Sequence, residues 1–311
     1  MPDARLLRVS RELFLAAFGM DQQSADLWVI DRLIGLLDEE DVQAGQRLNT
    51  AGEPLEFIYF MQNGAVRMTR DGAPPWTFQG RWVLGTFEAH LDRPLTRSAT
   101  ALSDFQAMKV RPSAWLELVE DSSLLARENV RFGAAAVAQL EQRIPGGLPK
   151  SSTEPTPTLP LRSSTVIERL AFLAEVEMLR GAGVQPLAEL AVASQQVAFE
   201  PGAVLVELGT SPEQILVIVE GEVQAKRGDS EAIWHYGPRD IVCGPASFEG
   251  TAAREVRAAS ATRAISFPLE VWFELMDEHF DLVRAALSAL GLRREALLDY
   301  LAEQSNGIVL T

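Results

Sequence analysis

One cysteine, Cys243, and three histidines, His90, His235 and His279, are all that 311 residues offer of the usual metal-ligating side chains with nitrogen or sulfur. A lone thiol cannot close an internal disulfide, and these four residues match no zinc-finger spacing, so disulfide scaffolds and structural zinc modules are excluded and no metal is expected. Positive charge is also short: 28 Lys+Arg face 43 Asp+Glu, a net charge of −15. Such a surface repels phosphate backbones, so no nucleic-acid binding and no adsorption to anionic membranes is expected unless a local basic patch reverses the field. No stretch approaches the ~18 consecutive apolar residues of a membrane span, so no membrane insertion is expected. The opening MPDARLLRVSRELFLAAFG alternates charged with apolar residues. It reads as an amphipathic helix, not a signal peptide, and a cytoplasmic location follows as the expectation. Gly-x-Ser-x-Gly, a Walker loop and His-Glu-x-x-His are all missing, and no catalytic set emerges, so no enzyme and no cofactor are expected.

What is present is a normal globular composition, 47 % apolar and 23 % charged, over a length that suits about two domains. Residues 145–164 (PGGLPKSSTEPTPTLPLRSS) carry Pro145, Pro149, Pro155, Pro157 and Pro160 among small polar residues, without apolar periodicity. That composition buries too little to offset its ordering entropy and reads as a linker. Residues 45–127 align without a gap on 202–284, with about 18 identities in about 83 positions where roughly one in fifteen is chance. Gly45/Gly202, Gly52/Gly209, Gly64/Gly221, Gly80/Gly237, Arg97/Arg254 and Trp115/Trp272 are among them. A repeat this long is not a solenoid, and the chain is expected to be two copies of one domain, residues 1–144 and 165–311.

Each copy changes from period 2 to period 3.6. Phe57–Met61 and Ala65–Arg70 flank Asn63-Gly64, a two-residue hairpin signal, matched by Gln214–Val219 and Val223–Lys226 around Glu220-Gly221. Further short strands are expected at Trp76–Phe78, Ser98–Leu102 and Gln106–Val110, with counterparts at Ile233–Tyr236, Val256–Ser260 and Arg263–Phe267. The pattern predicts a mainly β chain with helices: two tandem jelly rolls, at about 39–112 and 193–268, each bracketed by helices. Helices are expected at 26–37, at 114–143 with a break at Asp121-Ser122-Ser123, from the Thr165–Glu168 capping box to Ala191 with an interruption near Gly181–Gly183, and over 270–303 with interruptions near Asp277–Phe280 and at Gly291. Trp115 and Trp272 begin trailing helices in matching places and read as core anchors.

The stretches AGQRLNTAGEPLEFIYFMQNGAVRMTR, GRWVLGTFEAHLDRPLTRSATAL and WLELVED, with their second-copy counterparts, resemble the cyclic nucleotide-binding domain of catabolite-activator proteins, kinase regulatory subunits and gated channels. The resemblance implies a phosphate-binding cassette, in which a Gly-Glu pair is followed about ten residues later by an arginine and small residues. There the glycine lets backbone N–H groups close on the anion, the arginine pairs with the phosphate and the glutamate accepts from a ribose hydroxyl. In the first copy the implied ligand-binding residues are Glu88, Arg97, Ser98, Ala99 and Thr100, but Phe87 stands at the glycine position, where its ring is expected to crowd the anion. In the second copy Gly244 and Arg254 are in place, while Pro245 replaces the glutamate and removes an N–H. Each cassette has lost a different piece.

For Arg97 and Arg254 two readings stand side by side, phosphate contact or pairing with a neighbouring carboxylate. Cys243 reads as a small buried side chain rather than a sensor. No helix-turn-helix follows the second copy. The expectation is a non-enzymatic regulatory protein with two degenerate cyclic nucleotide-binding domains, sensing a small ligand or docking a protein partner. The alternative is a true sensor of cyclic AMP or cyclic GMP acting through the first copy. The scaffold reading expects a filled pocket with Phe87 pointing inward. The helix LVRAALSALGLRREALLDYLAEQ packs either on its own roll or on a second subunit as a homodimer seam.

Overall fold

The computed structural model describes residues 27–144, 165–228, 233–242, 252 and 254–311. The expected N-terminal amphipathic helix, the linker, and Cys243, Gly244 and Pro245 lie outside the described residues.

By contact, the chain divides into two compact units. One holds the residues up to Gly133 together with Leu290–Thr311, and the other holds Ala134–Ala289. The repeat places residues 290–311 with the second copy; by packing they belong with the first roll.

The first unit opens on α1 (Leu27–Leu36), whose Val29, Ile30 and Leu33 form a buried stripe at helical spacing. Two antiparallel sheets make the roll. The first has the order β1 (Asp38–Val42), β8 (Phe105–Val110), β3 (Ile58–Met61), β6 (Trp82–Leu84). The second runs β2 (Arg47–Asn49), β7 (Ser98–Ala101), β4 (Ala65–Arg70), β5 (Ala73–Gln79), and β17 (Ile308–Leu310) then lies parallel to β5. In the second unit the sheets are β9 (Gln195–Phe199), β16 (Thr262–Pro268), β11 (Gln214–Glu220), β14 (Ile241–Val242), and β10 (Val204–Val206), β15 (Glu255–Ala258), β12 (Val223–Lys226), β13 (Ile233–Tyr236). Strand for strand the two rolls share one order, as duplication requires.

Asn63-Gly64 is not the hairpin its dipeptide suggests. β3 pairs with β6 and β8, whereas β4 pairs with β5 and β7, so the chain changes sheets there. Gly64 is still obligatory: its φ is +98°, and a Cβ would come within 2.5 Å of the Phe105 ring. Gly221 repeats the device at φ +96°, with the Ala261 carbonyl oxygen 2.5 Å from where a Cβ would stand. The tight hairpin is β4–β5, where Arg70 pairs with Ala73 across Asp71-Gly72 and Gly72 has φ +72°.

The helices α2 (Pro112–Glu120) and α3 (Ser123–Glu141) break at Asp121–Ser122, where the Ser122 hydroxyl accepts from the Leu125 N–H at 3.2 Å. The capping box starts α4 (Val166–Leu173), and α5 (Val184–Ala193) begins after Gly183. α6 (Leu269–Glu278) gives way at His279 to α7 (Phe280–Ser305), which runs through Gly291 without the expected interruption. A Cβ on Gly291 would lie 3.4 Å from Leu91 and from the Phe87 carbonyl oxygen, an ordinary contact, so the glycine neither ends the helix nor is required by its packing. Trp115 and Trp272 are 0 % and 1 % exposed and meet Phe60 and Phe267, as core anchors should. Among the described residues no helix is long and apolar enough to cross a membrane.

Candidate functional site

In the first unit the chain leaves β6 through Gly85, whose φ of +99° brings its backbone against Ile58 and Phe57. Phe87 follows at φ −70° and ψ −44°, an ordinary helical conformation, and caps a 3-10 turn over Glu88–His90. The left-handed position in this loop is therefore residue 85, and residue 87 tolerates a side chain. The Phe87 ring does not point into the cleft. It lies 6.0 Å from the Phe132 ring and 4.6 Å from the Arg294 guanidinium, and it is absent from the cleft wall. The expected crowding by Phe87 does not occur, because its backbone carries the ring onto helical segments packed outside.

The cleft itself is about 20 Å³, lined by Met68, Trp76, Glu88, Arg93, Arg97 and Glu295 among others. Arg97 is 1 % exposed. One terminal nitrogen donates to the Pro74 carbonyl at 2.9 Å, the other donates to Asp299 at 2.5 Å, and the guanidinium lies 4.0 Å above the Trp76 ring. A buried cation needs such partners, since transfer of an unpaired charge into the core costs several kcal/mol. Asp299 bridges on to Arg70 at 2.9 Å through its second oxygen. Glu295, one helical turn earlier on α7, accepts from Thr96 at 2.7 Å and pairs with Arg93. Two carboxylates thus face three arginines. Neighbouring Arg294 is buried between Phe78 and Phe87. Burial holds its pKa below the usual arginine value, against the opposing pull of Glu88 and Glu295.

Of the implied ligand-binding residues, Glu88 and Arg97 share this cleft. Ser98, Ala99 and Thr100 form β7 beside it. The Ser98 hydroxyl accepts from the Ala51 N–H at 2.9 Å, Ala99 is buried between Met68 and Asn49, and Thr100 pairs with Arg67 and Arg47. These three supply strand and core; they do not line the cleft.

The second unit repeats the arginine's setting. Arg254 lies 4.3 Å over the Trp234 ring and 3.6 Å from Glu141 of α3. Tyr236 is buried beside them, its pKa raised by burial and by the Glu141 charge. A larger groove of about 550 Å³ exists in this unit, but Val197, Phe199, Val204, Leu216 and Ser266 line it, and Arg254 does not. Gly244 lies outside the described residues. The unit also gathers one side-chain ligand atom each from Glu189, Glu278 and His279 within 4.8 Å, with His279 Nε2 3.6 Å from a Glu189 carboxylate oxygen.

The gapless alignment missed the equivalence of the two tryptophans that back these arginines. It sets Trp76 opposite Ile233, yet Trp76 pairs with Met68 and Trp234 with Ala225, and Met68 and Ala225 are repeat mates. Strand register therefore makes Trp76 and Trp234 equivalent, one residue out of sequence phase.

Residues 196–279 match the cyclic nucleotide-binding domain family. That match lies on the second roll. The first roll is its sequence twin and has the same strand order, so the chain holds two tandem rolls of the cyclic nucleotide-binding type of fold. No curated protein matches the chain. Among solved structures, one described as cAMP-bound PfPKA-R (141–441) is similar at 13 % identity and a TM-score of 0.38, over 97 % of this chain and 93 % of that one. The regulatory subunit of a cAMP-independent protein kinase A from Trypanosoma brucei gives 15 % identity and 0.37, over 98 % and 92 %. The sensor domain of the transcriptional regulator DNR from Pseudomonas aeruginosa gives 17 % and 0.37, over 40 % and 91 %. In both rolls the arginine of the repeat pair, Arg97 or Arg254, is backed by a tryptophan and met by a carboxylate from a helix.

Proposed function

We propose that the chain is a non-enzymatic, cytoplasmic regulatory protein whose two degenerate cyclic nucleotide-binding domains take no cyclic nucleotide in their resting state and act by docking a protein partner. One observation carries this reading: Arg97, which the family uses for phosphate, is buried and already engaged by Asp299 and Pro74. Arg254 supports it, with Glu141 beside it and Pro245 in place of the cassette glutamate.

The experiment is a thermal melt of the full chain with cyclic AMP and cyclic GMP at about 1 mM. A ligand at about 100 times its dissociation constant stabilises the folded state by about 2.7 kcal/mol. The proposal expects no shift from either nucleotide. A clear shift overturns it in favour of the sensor reading, which rests on Glu88 and Arg97 lining one cleft.

A further inference from the structure

The carboxylates on α7 fill the phosphate's place imperfectly. Arginine presents its Nε and a terminal nitrogen as a parallel donor pair suited to two oxygens of one anion. Asp299 takes a terminal nitrogen of Arg97, Pro74 takes the other, and the buried Nε–H has no acceptor among the described residues. An unmet buried donor keeps its desolvation cost, so the docked arrangement leaves room for a better-matched anion. A second observation points the same way. A cleft of about 20 Å³ cannot admit a ligand of the size that fills pockets of roughly 300 Å³ or more, so any ligand of Arg97 must first displace Glu295 and Asp299.

The segment that carries these carboxylates is anchored by the buried Leu297, Leu298 and Ala302, but its far end and its outer ion pairs are lightly held. Its terminal strand β17 is three residues long, on the sheet edge, with Val309 55 % exposed. Arg70 and Arg93 are more than a third exposed, and ion pairs of that kind hold weakly. Short edge strands and exposed pairs open first among the elements of a fold.

We propose that residues 290–311 are a tethered internal ligand of the first roll. Asp299 and Glu295 occupy the arginines in the docked state, and their release frees Arg97, Arg70 and Arg93 for an external phosphate-ester anion. This rests on the proposed function, deepening it with the means by which the first domain is kept closed. Apparent affinity for such an anion equals the intrinsic affinity reduced by the fraction of released molecules, so removing the carboxylates must raise it.

The test uses the full chain and its E295Q/D299N variant, which keeps side-chain shape and removes both charges. Amide hydrogen exchange of residues 308–310 and calorimetric titration with cyclic AMP are read on each. The expected result is exchange at least about tenfold faster in the variant, with cyclic AMP affinity raised at least about tenfold and lost again on adding R97A. Unchanged exchange overturns the proposal, and so does faster exchange without any gain in binding. If the double variant does not fold, V309P, which unpairs β17 from β5 without touching an arginine or a carboxylate, must give the same gain, and no gain is equally fatal. Tight binding by the unmodified chain defeats the proposed function. Tight binding there with no improvement in the variant defeats both, and no binding by either defeats the tethered ligand alone.

Discussion

Arg97 holds a full charge in a side chain 1 % exposed, while Arg254 is 18 % exposed at the equivalent place. Removing one partner of a buried pair costs about 3–5 kcal/mol, whereas a partly exposed pair is worth about 0–1 kcal/mol. Arg97→Ala is therefore expected to lower unfolding free energy by about 3 kcal/mol or more, and Arg254→Ala by about 1 kcal/mol, by urea denaturation. Equal costs would show that the two sites are not graded by burial. Phe87→Gly is expected to cost about 3 kcal/mol through the lost packing on Phe132 and Arg294, without creating cyclic-nucleotide binding, because the ring stands outside the cleft. Nucleotide binding by that variant, measured calorimetrically, contradicts this account of Phe87. The arginines and Glu88 were legible as site candidates because their spacing follows a family pattern. Asp299 and Glu295 were not, since about 200 residues separate them from Arg97 and a solvated acidic helix face looks the same in sequence. Phe87 was misread because the glycine conformation had moved to Gly85, and one sequence does not display φ angles.

At the scale of elements, two glycines with opposite roles make a direct comparison. Gly221 has φ +96° and a backbone oxygen where a Cβ would stand, so Gly221→Ala must strain or shift the sheet-changing turn. The left-handed conformation alone costs roughly 1–2 kcal/mol for a residue with a Cβ, and the contact adds to it. Gly291 lies within α7 with only ordinary contacts near its Cβ position, and alanine gains about 1 kcal/mol over glycine in a helix interior. Thermal melts should show Gly221→Ala destabilised and Gly291→Ala unchanged or raised. A melt in which Gly291→Ala drops as far as Gly221→Ala would show that the helix needs a glycine there. Strand positions, the Ser122 cap and the Thr165 box could be read from the residues because each signal is local. The pairing of strands could not. Asn63-Gly64 carries the composition of a hairpin, yet whether flanking strands pair depends on partners such as β6 and β8 from elsewhere in the chain.

For the whole molecule, duplication and packing give different divisions of the same chain. The repeat divides it near residues 145–164, while the compact units divide it after Gly133 and after Ala289, so the first unit joins the first roll to residues 290–311. Gapless identity revealed the duplication because it compares residues one to one. It could not show which roll a trailing segment packs on, since that choice rests on Arg97–Asp299, Thr96–Glu295 and β5–β17, all pairs about 200 or more residues apart. Cleavage of the backbone within residues 145–164, at an inserted protease site, discriminates between the two divisions. If each repeat were self-contained, the fragments would separate on size exclusion without denaturant. With residues 290–311 completing the first unit, the cut should leave both fragments in one peak and the melting temperature within a few degrees of the intact chain, since the contacts of residues 290–311 with the first roll do not run through the cut. Adding E295Q/D299N to the cleaved protein should weaken that association, because the buried arginine then loses its charged partner. Separation of the unmodified fragments at micromolar concentration would mean that the contacts of residues 290–311 do not hold the first unit together.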